Sequence, residues 1–186
     1  MNSMFYVCSN LTTIPQLYTS KVTNMNYMFY DCSNLTTIPL LDTSSVTDMY
    51  NMFCGCSSLT TIPLLNTNQV TNMGYMFNSC SSLTTIPQLD TSKVTNMERM
   101  FSSCFSLTTI PQLDTSSVTA IYKMFDGCSN LSDESLNNIL FMCTNMVNIN
   151  YRKTLANIGL TEEQAQKCTT LSNYEAFTSA GWTTGY

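Results

Sequence analysis

Cysteine recurs at positions 8, 32, 56, 80, 104 and 128, an unbroken period of 24, and each of these cysteines closes the phrase Met-Phe-x-x-Cys. The stretch between them repeats almost verbatim: Cys80–Ser103 differs from its neighbours at only a few places. A fixed period of this length means stacked supersecondary units, none of which can bury its apolar face alone. With 186 residues and 44% apolar content, the chain has enough material for one solenoid core.

Two periodicities alternate within one copy. Met97, Met100, Phe101 and Cys104 fall at i, i+3, i+4 and i+7, which predicts a short helix with that stripe turned inward. Equivalent sets occur at Met25, Met28, Phe29 and Cys32, at Met49, Met52, Phe53 and Cys56, and at Met73, Met76, Phe77 and Cys80, with Ile121 replacing Met in the last copy. After each cysteine comes Leu-Thr-x-Ile-Pro, whose β-branched residues predict a short parallel strand, Leu83 to Ile86, limited by a proline that lacks an N–H. The following Leu-Asp-Thr-Ser-x-Val-Thr is expected to cross over and cap the next helix. One short strand and one short helix per repeat describes a right-handed leucine-rich-repeat solenoid of the α/β class.

These residues resemble a known group. Cys-x-x-Leu-Thr-x-Ile-Pro followed by Asp-Thr-Ser-x-Val-Thr-x-Met-x-x-Met-Phe is similar to the repeat of the BspA-like leucine-rich-repeat surface proteins, over residues 1–131, in five full copies from Cys8 to Gly127 with partial copies at both ends. The resemblance implies a bacterial surface or secreted protein, in some members an adhesin, with similar arrays in phage-borne genes. It implies recognition of a protein or glycan on a cell surface and supplies no catalytic residues.

Met1 aligns with Met25, and Met4-Phe5 with Met28-Phe29, so the first rung has no dedicated polar cover; further repeats or another chain are expected there. Beyond Leu131 the repeat dissolves into helix signals, and residues 132–186 read as a helical C-terminal cap. Ser132 starts a helix running toward Met142, while Thr161–Gln164 and Ser172–Glu175 both fit capping boxes. Gly159 and Gly181 fit helix ends, and Trp182, the one tryptophan, is expected to pack against the cap.

Composition narrows the chemistry. There is no histidine, which removes the commonest general base and every Ser-His or Cys-His pair, so no enzyme activity, cofactor or metal site is expected. Asp42, Asp90 and Asp114 share a repeat position with Tyr18 and Asn66, which marks a turn position rather than an acid/base pair. Seven Lys and Arg scattered over a chain of net charge −5 form no basic stripe for nucleic acid. No apolar run approaches the ~20 residues that span a bilayer. Of nine cysteines, six are read as inward-packed reduced thiols; Cys143 and Cys168 are the one pair that invites a disulfide test. The Thr-Thr pairs are expected to point to opposite faces of their strand, which weighs against a flat hydroxyl array matched to ordered water.

Positions that differ between copies locate the candidate site. Tyr27, Tyr50, Tyr75, Arg99, Tyr122 and Lys123 fall between the core residues of the predicted helix, on the convex face, and are side chains that anchor contacts. The uniform threonine face, concave in this reading, is the rival surface and would suit a repetitive glycan. The alternative to a recognition module is a structural spacer in a longer surface or fibre protein.

Overall fold

The computed structural model describes residues 1–146, 148–149 and 151–186. Residues 1–131 form stacked rungs, one to each sequence repeat, followed by three helices: α1 (Asp133–Asn145), α2 (Glu162–Cys168) and α3 (Tyr174–Ser179).

The apolar set predicted from spacing is the core. Met97, Met100, Phe101 and Cys104, with their equivalents from Met25 to Phe125, have no solvent exposure. The phenylalanines stack face to face from Phe5 through Phe29, Phe53, Phe77 and Phe101 to Phe125, with centroids 5.4–5.8 Å apart and ring planes within 10°. Their helix, however, does not form. Met97–Cys104 is a run of overlapping turns in which Met100, Ser102 and Cys104 donate N–H to the carbonyl three residues back. The intervening amides turn outward along the array instead: Met97 to Ala120 O (2.8 Å), Arg99 to Tyr122 O (3.1 Å), Phe101 to Met124 O (2.9 Å) and Ser103 to Asp126 O (2.6 Å). An α-helix would need those same N–H groups for bonds four residues back. A helix of two turns is marginal in isolation, whereas the neighbouring rung offers an acceptor to every second residue.

This geometry requires a left-handed residue at two places per rung. Tyr27, Asn51, Tyr75, Arg99 and Lys123 have φ between 50° and 58°, and Asp31, Gly55, Ser79, Ser103 and Gly127 have φ between 54° and 82°. Each non-glycine there costs roughly 1–2 kcal/mol. Four inter-rung hydrogen bonds at about 1 kcal/mol each, with the buried Met-Phe-Cys set, offset that cost.

The strand expectation is also displaced. Leu83 and Ile86 are buried as predicted, but the Leu-Thr-Thr-Ile segment pairs only weakly, through the single bridge Thr85–Thr109. The continuous parallel ladder runs instead through Asn24, Asp48, Asn72, Asn96 and Ala120, in the segment expected to be a crossover and cap. Beside it Thr47, Thr71, Thr95 and Thr119 each give both the backbone N–H (2.9 Å) and the hydroxyl (3.1–3.2 Å) to the equivalent threonine carbonyl one rung earlier. Because Thr84 and Thr85 are not in a regular strand, both members of each Thr-Thr pair are exposed, contrary to the expectation of opposite faces.

Cys32, Cys56, Cys80, Cys104 and Cys128 lie inward, and each thiol donates to a phenylalanine carbonyl of the preceding rung at 3.0–3.1 Å. Cys8, in the first rung, is exposed. Cys143 and Cys168 are both buried free thiols.

The C-terminal segment supplies partners for the last rung. Lys123 and Phe125 donate N–H to Asn157 O and Ile158 O at 2.8 and 2.9 Å, and Ile121 N–H reaches the Tyr151 hydroxyl at 2.6 Å. From α1, Ser135 Oγ accepts from Ile110 N–H (2.9 Å), and Met142 O accepts from Thr115 Oγ1 (2.6 Å). Ser132 caps α1, and Thr161 with Gln164 forms the expected capping box of α2. The second expected box, Ser172–Glu175, does not form: α3 begins after Asn173 without a side-chain cap, because Ser172 and Asn173 are held by Asn137 of α1. Gly159 and Gly181 take φ of 93° and 82°, and Trp182 is buried against Phe177.

Two outcomes follow from this packing. Arg99→Gly relieves a left-handed residue and raises stability by about 1 kcal/mol in denaturant melts; were Met97–Cys104 helical, the same change would lower it by a similar amount. Burial raises Cys32 from the usual 9.0 to about 11 and Cys54, Cys128 and Cys168 to about 12, with Cys56, Cys80, Cys104 and Cys143 pushed further up. The unfolded chain releases these protons near pH 9 while the folded state keeps them. Stability is therefore full below pH 9 and falls toward pH 11, by about 1.4 kcal/mol per pH unit for each such thiol. Urea melts at pH 7, 9 and 10 measure that slope, and a thiol reagent at pH 8 labels Cys8 first.

Candidate functional site

The turns carry the variable residues on the surface opposite their core side chains. Asn24, Asp48, Asn72 and Asn96 open each turn segment: the side-chain oxygen accepts the N–H two residues on, at 2.9–3.1 Å. That fixes Asn26, Tyr50, Gly74 and Glu98; the fifth member of the column, Tyr122, follows Ala120, which has no side-chain oxygen to offer. The left-handed residue after it sets the column Tyr27, Asn51, Tyr75, Arg99 and Lys123.

Tyr27, Tyr50 and Tyr75 are brought together. Their rings meet edge to face at 5.6 and 5.7 Å, Tyr27 to Tyr50 and Tyr50 to Tyr75. Two tyrosines outside the expected set extend the cluster: Tyr30 lies 5.6 Å from Tyr27, and Tyr6 stacks on Tyr30 at 4.9 Å with planes 9° apart. Tyr6 and Tyr30 occupy the same repeat column, so a column-by-column comparison extended to the first rung would have found them. Partial burial raises the Tyr27 and Tyr75 phenols above their ordinary value, with the neighbouring Tyr50 adding at Tyr27 and Glu98 at Tyr75. At neutral pH the cluster is an uncharged aromatic surface with hydroxyl edges.

The row changes character along its length. Tyr75 Oη donates to Glu98 Oε1 at 3.3 Å, and the next positions are Arg99, Tyr122 and Lys123. Among the described residues, the Arg99 guanidinium has no hydrogen-bond or ion-pair partner. Lys123 Nζ lies 3.5 Å from Asp126 and 5.8 Å from the Tyr122 ring centre, and Tyr122 meets Tyr151 edge-on at 6.3 Å. The six expected residues thus form an aromatic half, Tyr27 to Tyr75, and a mixed half carrying Arg99, Tyr122 and Lys123. Contact with one partner would have to span about five rungs.

Asp42, Asp90 and Asp114 are turn residues, as their alternation with Asn66 predicts. Each accepts from the N–H and hydroxyl of the serine two positions on, at 2.6–3.1 Å, bonds that hold Asp42 and Asp90 below the usual carboxylate range. Among the described residues no group of three or more Cys, Asp and Glu is placed to hold a metal ion, and no helix is long and apolar enough to cross a membrane.

Stacked rungs of one repeat each, around a ladder of Leu, Ile, Val, Met, Phe and Cys, define a leucine-rich-repeat solenoid. The family described as Mycoplasma protein of unknown function, DUF285, matches residues 1–109, 34–139 and 60–162 in overlapping registers. The chain belongs to that BspA-like leucine-rich-repeat family. No curated protein sequence matches it. A leucine-rich-repeat protein of T. pallidum, at 23% identity, covers 86% of this chain and 82% of its own, with a TM-score of 0.51, and shows the same fold. A leucine-rich-repeat protein from Bacteroides ovatus, at 20% identity and a TM-score of 0.45, aligns over 81% of this chain and 40% of its own.

Proposed function

We propose that this chain is a non-catalytic recognition module of a bacterial cell-surface or secreted protein, or of a phage receptor-binding element, that engages a protein or glycan through Tyr27, Tyr50, Tyr75, Arg99, Tyr122 and Lys123. The observation that carries this reading is the contrast within each rung. Core columns scarcely change between copies, while the two outward columns gather tyrosine and cations along one side of the turns, in an aromatic group from Tyr27 to Tyr75 and a mixed group beyond it. Tyrosine suits this use because it buries a large area with few rotors and keeps a hydroxyl for hydrogen bonding. Tyr27, Tyr75, Arg99 and Lys123 are held by left-handed backbone whose N–H groups bond along the array, and the carbonyls of Tyr50 and Tyr122 accept from Tyr27 and Arg99, so little backbone ordering is left for binding. In this reading residues 132–186 are the helical cap that closes the array, and no cofactor takes part.

The rival reading, a spacer, is supported by the unbroken Phe stack and the uniform ladders, which give a rod without needing any particular surface. Binding of the labelled chain to bacterial cells, surface glycans and matrix proteins separates the two, beside a variant with all six residues changed to Ser. Serine already occupies left-handed positions at Ser79 and Ser103, so the variant keeps the backbone. Saturable binding that falls at least tenfold in the folded variant is the expected result. Binding kept by the variant moves the site elsewhere, and no binding to any of the panel favours the spacer.

A further inference from the structure

A second surface departs from the repeat in a different way. In the segment after the proline, Gln16 and Gln88 each reach along the array with their side-chain amide and donate to the backbone carbonyl of the next rung, Leu40 O and Gln112 O, both at 2.8 Å. Both glutamines are exposed, so these bonds are made at the surface of the array. The two rungs between carry Leu40 and Leu64 at the glutamine position. Among the described residues nothing donates to the corresponding carbonyls, those of Leu64 and Gln88. The leucine side chains stand 62% and 61% exposed, and Tyr18, where other rungs have Asp or Asn, is 96% exposed.

Together these departures form a cavity of about 520 Å³ lined by Leu17, Leu40, Leu41 and Leu64, with Tyr18 and Asp42 at its rim. Thr19 also lines it and adds an independent observation. Its equivalents Thr43, Thr67, Thr91 and Thr115 each donate their buried hydroxyl to a carbonyl further along the array, at 2.6–2.9 Å. The Thr19 hydroxyl, 1% exposed, has no partner. A buried unpaired hydroxyl costs on the order of 1–3 kcal/mol, and native folds leave few such groups without a partner.

We propose that this groove binds an extended peptide segment with apolar side chains and a flanking basic residue. Leucine side chains and a tyrosine ring offer an apolar seat, Leu64 in the lining has a carbonyl without a donor, and the Thr19 hydroxyl lacks an acceptor; an extended peptide brings side chains, N–H donors and carbonyl acceptors together. Three rungs span about 10 Å at the ~4.8 Å spacing of parallel chains, the reach of about three extended residues. Asp42 is the one charged residue in the lining and is held ionised by Ser44, so the complementary flank is cationic. This surface is separate from the Tyr27–Lys123 row, and its test does not depend on that row.

The probe is a fluorescein-labelled, acetylated and amidated pentapeptide of three leucines between two lysines, titrated by anisotropy against the full chain. Wild-type protein binds it saturably. The double variant L40Q/L64Q, which installs the glutamines that other rungs already tolerate, weakens binding at least tenfold while its melting point holds or rises. A backbone N-methylated form of the peptide binds at least fivefold more weakly than the parent. T19V raises the melting point and weakens binding several-fold. Absence of saturable binding to wild-type protein, or equal affinity for L40Q/L64Q, overturns the proposal; equal binding of the N-methylated peptide overturns the role of the Leu64 carbonyl.

Discussion

Everything in the array depends on one hydrogen-bond pattern, in which every second amide of the turn segment gives its proton to the next rung. Four such bonds link each rung pair, and they exist because residue i of one copy lies beside residue i+23 of the next. The period must therefore be strict, and the sequence keeps it through five full copies. The pattern also dictates the two left-handed positions per rung, since the chain must alternate between a turn bond within the rung and a ladder bond between rungs. Once that is set, Phe falls on Phe and Cys thiol on Phe carbonyl, at distances that hardly vary along the stack.

The same constraint frees the surface. The outward columns are held by backbone bonds rather than by their own side chains, so they accept Asn, Tyr, Gly, Glu, Arg or Lys without disturbing the core. Recognition can evolve on such a frame one column at a time, and the chain shows two distinct departures from uniformity: an aromatic and basic row over the turns, and an apolar interruption in the glutamine column.

Parts of the candidate site could be named from the sequence. Comparing columns found Tyr27, Tyr50, Tyr75, Arg99, Tyr122 and Lys123, because surface positions vary where core positions cannot. Tyr6 and Tyr30 escaped because they share a third outward column outside the expected set; that it varies is legible in the sequence, and the stacked geometry adds that their rings lie against Tyr27. The groove escaped for a different reason: Leu40 and Leu64 read as ordinary apolar residues until the structure shows that Gln16 and Gln88 at that position make bonds the leucines cannot.

The sequence by itself determined the period, the buried set, five of the six cysteines expected to lie inward (Cys8, in the first rung, is exposed), the turn role of Asp42, Asp90 and Asp114, and the starts of α1 and α2, all of which follow from spacing or from local capping chemistry. The i, i+3, i+4, i+7 stripe correctly named Met97, Met100, Phe101 and Cys104 as core and wrongly named the element, because overlapping turns bury the same positions as a helix does. Only the stacked structure decided between them. The choice rests on where each amide proton goes, and its acceptor, a carbonyl in the following copy of the repeat, becomes a neighbour only when the rungs are in place.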